Sequence, residues 1–379
     1  MDKELYLKNL KDYLHLVALY FNKQEATDFT LDESNLPFFI DLSKKHSLTA
    51  LFYKVVKDTK VNIKEEYLKK LEGYYLANVR KCVLFEQERK ELFKYCEENH
   101  ILYLSLKGLL LKDFYPDQYT REFADNDIFF AKDKDELIKK FFVDRGYKVE
   151  LYRKSNHDVY LKEPCLNFEM HRALFGETDD NEKIVKYFHP KIGLVNPQSF
   201  EAFYRLNDFY VYFTAHSYKH FHIAGCGLRT LIDYYLFLKK DMIDNDILDF
   251  DYINKELKKI DLVDFSNDMI SLATKVFKEE PLDDKEIEML LYIASSGTYG
   301  TVDHYVAKGV KAKGKFGFLM SRVFPPYSFY KSAYPWAYKC PILIPAAWLW
   351  RFFRILFKSP GRAMGEIKLI SKCKEDKND

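Results

Sequence analysis

Short apolar runs in the centre of the chain interrupt a sequence that otherwise carries helical periodicity. Each run is bounded by turn residues or charged residues, and runs of this length and setting are typical of buried strands. A sheet placed between helical segments indicates an α+β fold with a small mixed sheet. The predicted strands are Ile101–Leu106, Asp125–Ala131, Tyr147–Tyr152, His157–Leu161 and Leu166–Leu174.

Helical patterns precede and follow these strands. In Leu5–Phe21, apolar residues recur at three- and four-residue spacing. Ser47 is expected to cap a second helix, and a long third helix is expected at about Ile63–Glu98, with Asn99 as its stop. Asp133 is expected to cap a helix at 134–144 that Gly146 ends, and later helices are expected at Phe200–Phe221, Leu228–Lys239, Asp251–Ile260, Leu262–Phe277 and Asp284–Ala294.

Four segments follow from these patterns: an N-terminal helical region (1–100), an α+β core (101–195), a helical domain (196–306) and a basic aromatic C-terminal segment (307–379). The hydrophobic share of 47% and charged share of 31% exclude a disordered chain, and a net charge of +2 gives no strong nucleic-acid signal. None of the six cysteines forms a CxxC pair, and no signal peptide is visible, so we expect reduced thiols in a cytoplasmic protein.

Asp125 and Asp127 stand at the start of a predicted strand, separated by Asn126. Residues two apart on a strand project from the same face, so both carboxylates are expected side by side. Like charges this close repel each other unless a cation lies between them, and Mg²⁺ prefers carboxylate oxygens. The spacing therefore indicates a divalent-metal site, and a solvated turn is the alternative interpretation.

Glu169 is predicted to join this pair from a second strand. If that strand lies beside the first, the three carboxylates suit in-line phosphoryl or nucleotidyl transfer with two metal ions about 3.5–4 Å apart. An exposed glutamate on a surface strand is the alternative. The prediction rests on an alternation in which apolar residues face one way and polar residues the other: Leu166, Phe168 and Met170 against Asn167, Glu169 and His171.

The segment SLKGLLLKDFYPDQYTREFADNDIFF resembles the signature of the uncharacterised nucleotidyltransferase family, a branch of the polymerase-β-like superfamily. That signature is a strand ending in Leu-Lys-Gly, a Tyr-Pro turn, an Arg, and Asp-x-Asp on the next strand. The later NFEMHRALF is similar to the family's acidic-x-His strand, and FTAHSYKHF with GLRTLIDYYLFL to its helical region. The residues that carry the resemblance are Lys107, Gly108, Tyr115, Pro116, Arg121, Asp125, Asp127, Glu169, His171, His216, His220, Arg229 and Asp233.

The resemblance implies a small mixed-sheet nucleotidyltransferase core flanked by N-terminal and C-terminal helical regions. It also implies Mg²⁺, two ions expected, and transfer of a nucleoside monophosphate from an NTP to an unknown hydroxyl-bearing acceptor. Catalysis and metal binding are expected of Asp125, Asp127 and Glu169.

Nucleotide binding is expected of three other residues. Gly108 would let backbone N–H groups approach the triphosphate, while Lys107 and Arg121 would neutralise phosphate charge. The wider superfamily has Gly-Gly or Gly-Ser where this chain has Lys107 and Gly108. Ion pairs with Glu122 or Asp113 are the alternative for the two cationic side chains.

Substrate-lining roles are expected of His171, His216, His220 and Arg229. His216 and His220 share a helix face, and a metal-ligand pair or simple packing are the alternatives. The sequence HSYKH lacks the glutamate of a zinc-protease motif. His171 can orient the neighbouring glutamate or be only a sheet residue, and Arg229 can pair with Asp233, four residues on.

The C-terminal segment is basic and aromatic. Glu366 is the only acidic residue from 308 to 374, and all three tryptophans lie in this stretch. Pro345 is expected to open the helix PAAWLWRFFRILFK, whose arginines make it too charged for a membrane span. Arg351, Arg354 and Lys358 lie on one face of this helix. Their position predicts that residues 341–358 bind the surface of an anionic membrane, and a helix packed on the domain is the alternative.

The sequence therefore predicts a metal-dependent cytoplasmic enzyme, with peripheral attachment to the inner membrane face as an additional expectation. One alternative is a catalytically degenerate module that binds a nucleotide or a partner without turnover. Another is a peripheral membrane protein whose core serves a lipid or surface-glycan pathway. The presence of all three carboxylates favours catalysis.

Overall fold

The computed structural model describes residues 2–176, 181–189, 194–243, 247–298, 300–358 and 360–372. Within these ranges helices surround a seven-stranded mixed sheet, so the α+β class with helical flanks is confirmed. The helices are α1 (Lys3–Phe21), α2 (Leu36–Lys45), α3 (Thr49–Asp58), α4 (Glu65–Glu98), α5 (Lys107–Leu111), α6 (Asp135–Asp144), α7 (Glu182–Phe188), α8 (Leu206–Ile223), α9 (Leu228–Ile243), α10 (Phe250–Lys258), α11 (Val263–Lys278), α12 (Asp284–Ser296), α13 (Val302–Val323), α14 (Tyr327–Ala333), α15 (Pro335–Lys339), α16 (Ile344–Lys358) and α17 (Pro360–Lys372).

The main sheet has the strand order β5-β6-β7-β4-β3-β9-β8. The pairs β4–β7 and β3–β9 are parallel, and the other neighbours are antiparallel. A separate parallel pair joins β1 to β2. The strands are β1 (Thr30–Leu31), β2 (Asn62–Ile63), β3 (Tyr103–Ser105), β4 (Asn126–Phe130), β5 (Lys148–Leu151), β6 (His157–Lys162), β7 (Leu166–His171), β8 (Leu194–Val195) and β9 (Glu201–Phe203).

The five predicted strands are confirmed as β3 to β7. The helix predicted at Phe200–Phe221 begins later than expected, because Glu201–Phe203 is the strand β9 and α8 starts only at Leu206. Tyr103 and Leu104 of β3 pair with this segment in parallel register. Tertiary pairing therefore overrides the local helical pattern there.

The sheet separates two hydrophobic cores. One face packs against α4 and α6, in a core that contains Ile128 and Phe168 from the sheet, Phe85 from α4 and Phe142 from α6. The larger core lies on the other side and combines helices α1–α3 with α8–α12. Because strand residues alternate between faces, the polar positions of β4 and β7 are turned toward the larger helical assembly.

Two helix starts differ from the sequence prediction. Ser47 has a φ of 53°, and the N-cap of α3 is Leu48. The cap is supplied from far away, because Glu122 Oε1 accepts hydrogen bonds from Thr49 Oγ1 (2.7 Å) and the Ala50 N–H (2.8 Å). Asp133 lies in a 3₁₀ turn before α6, whose N-cap is Lys134.

The C-terminal segment is helical from α13 to α17, and the helix predicted at Pro345 is confirmed as α16. Across the described ranges, no helix is both long and apolar enough to cross a membrane. Cys373 lies outside the described residues. The other cysteines are free thiols: Cys82, Cys96, Cys165, Cys226 and Cys340. The four-segment division itself stays a prediction.

Candidate active site

Three neighbouring strands bring acidic and imidazole side chains to one face of the sheet. Strand β7 lies between β6 and β4. Asp127 is the register partner of Glu169 across the parallel pair, and His157 is the partner of His171 across the antiparallel pair. Since residues two apart on a strand share a face, these four side chains occupy adjoining positions.

The alternation in β7 explains why Glu169 faces the site. Leu166, Phe168 and Met170 are all buried in the core beneath α4 and α6. Their burial fixes the register of β7, because a one-residue shift would move every apolar side chain to the other face. The predicted division of this strand into an apolar and a polar face is therefore confirmed.

Three carboxylates converge where β4 begins. One oxygen from each of Asp125, Asp127 and Glu169 lies within 4.8 Å of those of the other two. Burial, together with the negative charge of Asp127, raises the pKa of Asp125 to about 6 and that of Glu169 to about 7. These raised pKa values reflect the cost of holding like charges together in a partly desolvated place.

His171 stabilises the charged form of Asp127. Its Nε2 lies 3.0 Å from Asp127 Oδ1 and 4.0 Å from Glu169 Oε2. Burial alone would raise the pKa of Asp127, but the hydrogen bond to His171 and the electrostatic contribution of that ring outweigh burial and lower this pKa to about 2. Asp127 therefore stays ionised beside two carboxyl groups that titrate much closer to neutral pH.

Lys107 approaches the carboxylates from the first residue of α5. Its Nζ donates a hydrogen bond of 3.0 Å to Nδ1 of His216. Burial lowers the pKa of Lys107 to about 8, although the charges of Asp127 and Asp125 oppose that change. Burial also holds the pKa of His216 well below its usual value, with the charge of Lys107 as the next cause, so the ring is neutral and accepts this bond.

His216 and His220 lie together on α8, with ring centroids 4.7 Å apart. Burial lowers the pKa of His220 to about 3. Within the described ranges, neither ring belongs to a group of three or more side chains suited to hold a metal ion. Their place beside Lys107 puts them near the carboxylates, and a substrate-lining role stays a prediction.

Gly108 is the second residue of the short helix α5, which a 3₁₀ turn at Lys112–Phe114 follows. A Cβ added at Gly108 would lie 3.6 Å from Nη1 of Arg121, an ordinary van der Waals distance. The protein's own packing therefore does not require glycine here. Contact between this backbone and a nucleotide stays a prediction.

Arg121 is 3% exposed, and it forms a buried ion pair with Asp233 of α9. Its Nε and Nη2 donate to the two carboxylate oxygens at 2.8 Å each, and Nη1 donates to the carbonyl of Gly108 at 3.3 Å. The sequence interpretation named Glu122 or Asp113 as the ion-pair alternative, and the partner found is Asp233. A guanidinium so engaged holds the backbone of Gly108, and direct contact between Arg121 and a nucleotide phosphate stays a prediction.

Arg229 donates a hydrogen bond to the backbone carbonyl of Glu122. The expected partner Asp233 accepts hydrogen bonds from Arg121 and from the hydroxyl of Tyr115. The positive charge of Arg229 nevertheless acts on Asp125, where it opposes the rise in pKa that burial and Asp127 cause.

His157 is part of this constellation, although the sequence interpretation did not select it. Its Nε2 lies 3.5 Å from Glu169 Oε2, and its ring centroid lies 5.0 Å from that of His171. The only local signal was a histidine at the start of a predicted strand. Its position opposite His171 depends on strand register, which the sequence does not state.

The donor set fits a divalent cation. Carboxylate oxygens are the ligands that Mg²⁺ prefers, and a cation between Asp125, Asp127 and Glu169 would relieve the repulsion that raises two of their pKa values. A second group suited to metal binding shares Glu169 and adds His157 and His171.

Comparison with known proteins agrees with this geometry. The model of a family described as "Uncharacterised nucleotidyltransferase" matches residues 32–278, more than half of the chain. No curated protein and no solved structure gives a significant match. The matched range contains the carboxylates, both histidine pairs and the Arg121–Asp233 ion pair. The chain therefore belongs to the uncharacterised nucleotidyltransferase family.

Proposed function

We propose that this protein is a Mg²⁺-dependent enzyme that transfers a nucleoside monophosphate from an NTP to a hydroxyl-bearing acceptor. The observation that carries the proposal is the convergence of Asp125, Asp127 and Glu169 on one face of the sheet, with one oxygen of each within 4.8 Å of the others, in a chain of a nucleotidyltransferase family. These three residues would hold two Mg²⁺ ions, which neutralise charge on the attacking and leaving oxygens when bound.

The bond changes follow from this chemistry. The acceptor oxygen forms a bond to the α-phosphorus of the NTP, and the bond from that phosphorus to the oxygen bridging to the β-phosphate breaks. Pyrophosphate leaves with the bonding electron pair, and the acceptor hydroxyl loses its proton. We assign Glu169 to the acceptor side as the group that helps to remove this proton.

Lys107 is assigned to the triphosphate. Its ammonium group lies in a partly buried place beside the carboxylates, where a point charge interacts strongly with phosphate. His216 accepts a hydrogen bond from the ammonium group of Lys107 and so orients the lysine side chain. Arg121 is assigned a positioning role, because it holds the Gly108 carbonyl and is itself fixed by Asp233.

Substrate-lining roles are assigned to His171, His216, His220 and Arg229. His171 contacts Asp127 directly, while on α8 His216 contacts Lys107 and the ring of His220 lies 4.7 Å from that of His216. The acceptor is not specified by these contacts, so the test of function uses broad acceptor pools.

The test compares two positions of the radioactive label. The full chain is incubated with Mg²⁺, an acceptor pool and an NTP labelled on either the α- or the γ-phosphate. Nucleotidyl transfer moves the α-label to the acceptor and releases the γ-label in pyrophosphate, whereas phosphoryl transfer moves the γ-label to the acceptor and leaves the α-label in the nucleoside diphosphate. Pools of small molecules, RNA and protein identify the acceptor class.

Asp127→Asn tests the assigned carboxylates, with Asp133→Asn as the matched control, since Asp133 is an exposed acid outside the site. We expect loss of at least about 100-fold in transfer rate for the first variant and no change for the second. Equal rates in both variants would overturn the carboxylate assignment. Mg²⁺-dependent nucleotide binding without transfer to any pool would favour the degenerate binding module.

A second proposal concerns attachment of the C-terminal segment to an anionic membrane surface. In α16 the apolar side chains Leu349, Trp350, Phe352, Phe353 and Phe357 each expose more than half of their surface. Arg354 is exposed, and Arg351 lies 5.0 Å from the ring centroid of Phe329; the side chain of Lys358 lies outside the described residues. Exposed aromatic rings beside arginines are typical of helices that bind anionic lipid.

Charge supports the choice of anionic lipid as the partner. From 308 to 372 the only acidic residue is Glu366, and its carboxylate is engaged by Arg322 at 3.0 Å. We expect the chain to co-sediment with vesicles that contain phosphatidylglycerol more strongly than with neutral vesicles.

Trp350→Ser combined with Phe353→Ser should abolish this binding, whereas Leu76→Ser, which replaces an exposed leucine on α4, should not. Absence of binding by the unaltered chain would reject the membrane proposal without affecting the enzymatic one.

A further inference from the structure

Two histidines lie beside the carboxylates, on strands that the sheet holds in fixed register. His157 of β6 is the register partner of His171 of β7, and Glu169 lies two residues before His171 on the same face of β7. The Nε2 atoms of His157 and His171 lie 3.5 Å and 4.0 Å from the same oxygen, Oε2 of Glu169. One ligand-capable atom from each of these residues lies within 4.8 Å of the other two.

This group differs from the carboxylate group in its donor atoms. Two imidazole nitrogens and one carboxylate oxygen form a set that suits first-row transition-metal ions, whereas Mg²⁺ favours oxygen ligands alone. The two groups overlap only at Glu169, whose carboxylate has two oxygens. A shared carboxylate is compatible with a site in which two cations lie close together.

A second observation concerns the orientation of His171. This residue is 8% exposed, and its Nε2 lies 3.0 Å from Asp127 Oδ1 and 4.0 Å from Glu169 Oε2. The ring is therefore held with this nitrogen directed at the carboxylates, and an ion bound there would replace the hydrogen bond to Asp127.

We propose that His157, Glu169 and His171 form a second cation site that selects a first-row transition-metal ion such as Zn²⁺ or Co²⁺. The inference rests on the proposed function for the role of the carboxylate site and makes the catalytic centre a mixed one. Asp125 and Asp127 would hold one Mg²⁺ ion through carboxylate oxygens, and the imidazoles would hold the transition-metal ion in the place that the proposed function gives to the second Mg²⁺. Glu169 serves both.

The ordinary alternative is that both histidines only donate hydrogen bonds to neighbouring carboxylates. That role needs no cation and predicts that replacing His157 leaves metal affinity unchanged. A metal-ligand role predicts loss of affinity for imidazole-binding ions only. The two roles therefore differ in a binding measurement that needs neither nucleotide nor turnover.

The experiment is calorimetric titration of the full chain with Zn²⁺ and, separately, with Mg²⁺. His157→Gln removes the imidazole, and His189→Gln, at an exposed histidine on the C-cap of α7, is the matched control. We expect His157→Gln to lower Zn²⁺ affinity at least about 100-fold while Mg²⁺ affinity is unchanged. The control should bind both ions as the unaltered chain does.

Equal Zn²⁺ affinity in His157→Gln and the unaltered chain would overturn the proposal. So would loss of Zn²⁺ binding in Asp125→Asn with retention in His157→Gln, because the ion would then belong to the carboxylates alone. Zn²⁺ binding that depends on His157 in a chain that transfers no nucleotide would support this site and reject the proposed function instead.

A measurement on the unaltered chain covers the case in which His157→Gln fails to fold. Crystals soaked in Zn²⁺ give an anomalous difference map at the zinc edge. A peak bonded to nitrogen atoms of His157 and His171 supports the proposal. A peak bonded only to carboxylate oxygens, or none, overturns it.

Discussion

The guanidinium of Arg121 and the carboxylate of Asp233 form a buried ion pair with two parallel hydrogen bonds, each 2.8 Å long. The two residues are 112 positions apart in sequence. The pair joins the segment just before Asp125 to helix α9, and the hydroxyl of Tyr115 adds a third hydrogen bond of 2.9 Å. It ties the carboxylate-bearing strand to the larger helical core.

Asp233→Asn should lower the free energy of unfolding by about 3–5 kcal/mol, because it leaves a buried guanidinium without its counter-charge. Urea denaturation followed by circular dichroism measures this change. Replacing both partners, with Arg121→Met and Asp233→Leu, should cost less than Asp233→Asn alone, since no unpaired charge remains.

An exposed ion pair provides the control for the Asp233→Asn measurement. Lys140 and Asp144 form an exposed ion pair on α6. Asp144→Asn should change the unfolding free energy by no more than about 1 kcal/mol. If Asp233→Asn proves as mild as Asp144→Asn, the buried pair does not have the structural importance assigned to it.

The strands of the core were predictable because their signals are local. In β7, apolar and polar residues alternate over a few positions, and in α6 the end is marked by Gly146 at a φ of 80°. Strand β9 was not predictable, because Glu201–Phe203 is short and becomes a strand only by pairing with β3. The cap of α3 was missed for the same kind of reason: Glu122 lies 73 residues from Thr49.

The carboxylates were predictable, and most of their partners were not. Asp125 and Asp127 carry a spacing that can be read directly, and Glu169 follows from the alternation in its own strand. The choice of Asp233 for Arg121, and the position of His157 opposite His171, depend on contacts between distant segments. The sequence offers several acidic residues that could pair with Arg121, and only the packing of the folded chain selects Asp233 among them.

His46 should make the protein less stable in mild acid. Its Nε2 lies 3.0 Å from the carbonyl of Ala294, and its Nδ1 accepts from the Leu228 N–H at 3.1 Å. Burial lowers the pKa of His46 to about 3, so the folded protein holds the ring neutral. The unfolded chain takes up a proton near pH 6.5, so stability is present above that pH and is lost as the pH falls toward 3.

The expected loss is up to about 1.4 kcal/mol per pH unit across that window. Urea denaturation at pH 7.5, 6, 5 and 4 measures it. His46→Asn should be less stable at neutral pH and show a weaker dependence on pH. His189→Gln, at an exposed position, should follow the unaltered chain; a parallel pH dependence in His46→Asn would contradict the assignment.

Asp125→Asn should stabilise the protein when no divalent cation is present. Three carboxylates lie close together, and the raised pKa of Asp125, about 6, means that the folded state binds a proton more tightly than the unfolded state. Stability therefore falls as the pH rises from about 4 to 6. Removing the charge should raise the unfolding free energy at pH 8 in EDTA by about 1–2 kcal/mol.

Thermal melts with and without Mg²⁺ test this prediction. Mg²⁺ should raise the melting temperature of the unaltered chain and have little effect on Asp125→Asn, so the order of stability reverses. Asp133→Asn, which removes an exposed carboxylate, should behave as the unaltered chain under both conditions. If Asp125→Asn is less stable than the unaltered chain in EDTA, then repulsion between Asp125 and the neighbouring carboxylates does not destabilise the folded protein.

Lys107 should make nucleotide binding sensitive to alkaline pH. Burial lowers its pKa to about 8, so its positive charge is lost as the pH rises through that value, two or more units earlier than for an exposed lysine. A charge-assisted contact with phosphate is worth about 1.5–3 kcal/mol. Lys107→Met should therefore weaken Mg·NTP binding at pH 7 by about 10- to 100-fold, measured by calorimetry.

The pH dependence separates a phosphate contact from a packing role for the same side chain. Binding to the unaltered chain should weaken between pH 7.5 and 9.5, whereas Lys107→Met should bind weakly and with little change over that range. Lys112→Met is the matched control, because Lys112 lies just after α5 and its Nζ donates a hydrogen bond to Oε1 of Gln118 at 3.2 Å. If the unaltered chain and Lys107→Met lose affinity in parallel as the pH rises, another group controls binding, and the ammonium of Lys107 does not meet the triphosphate.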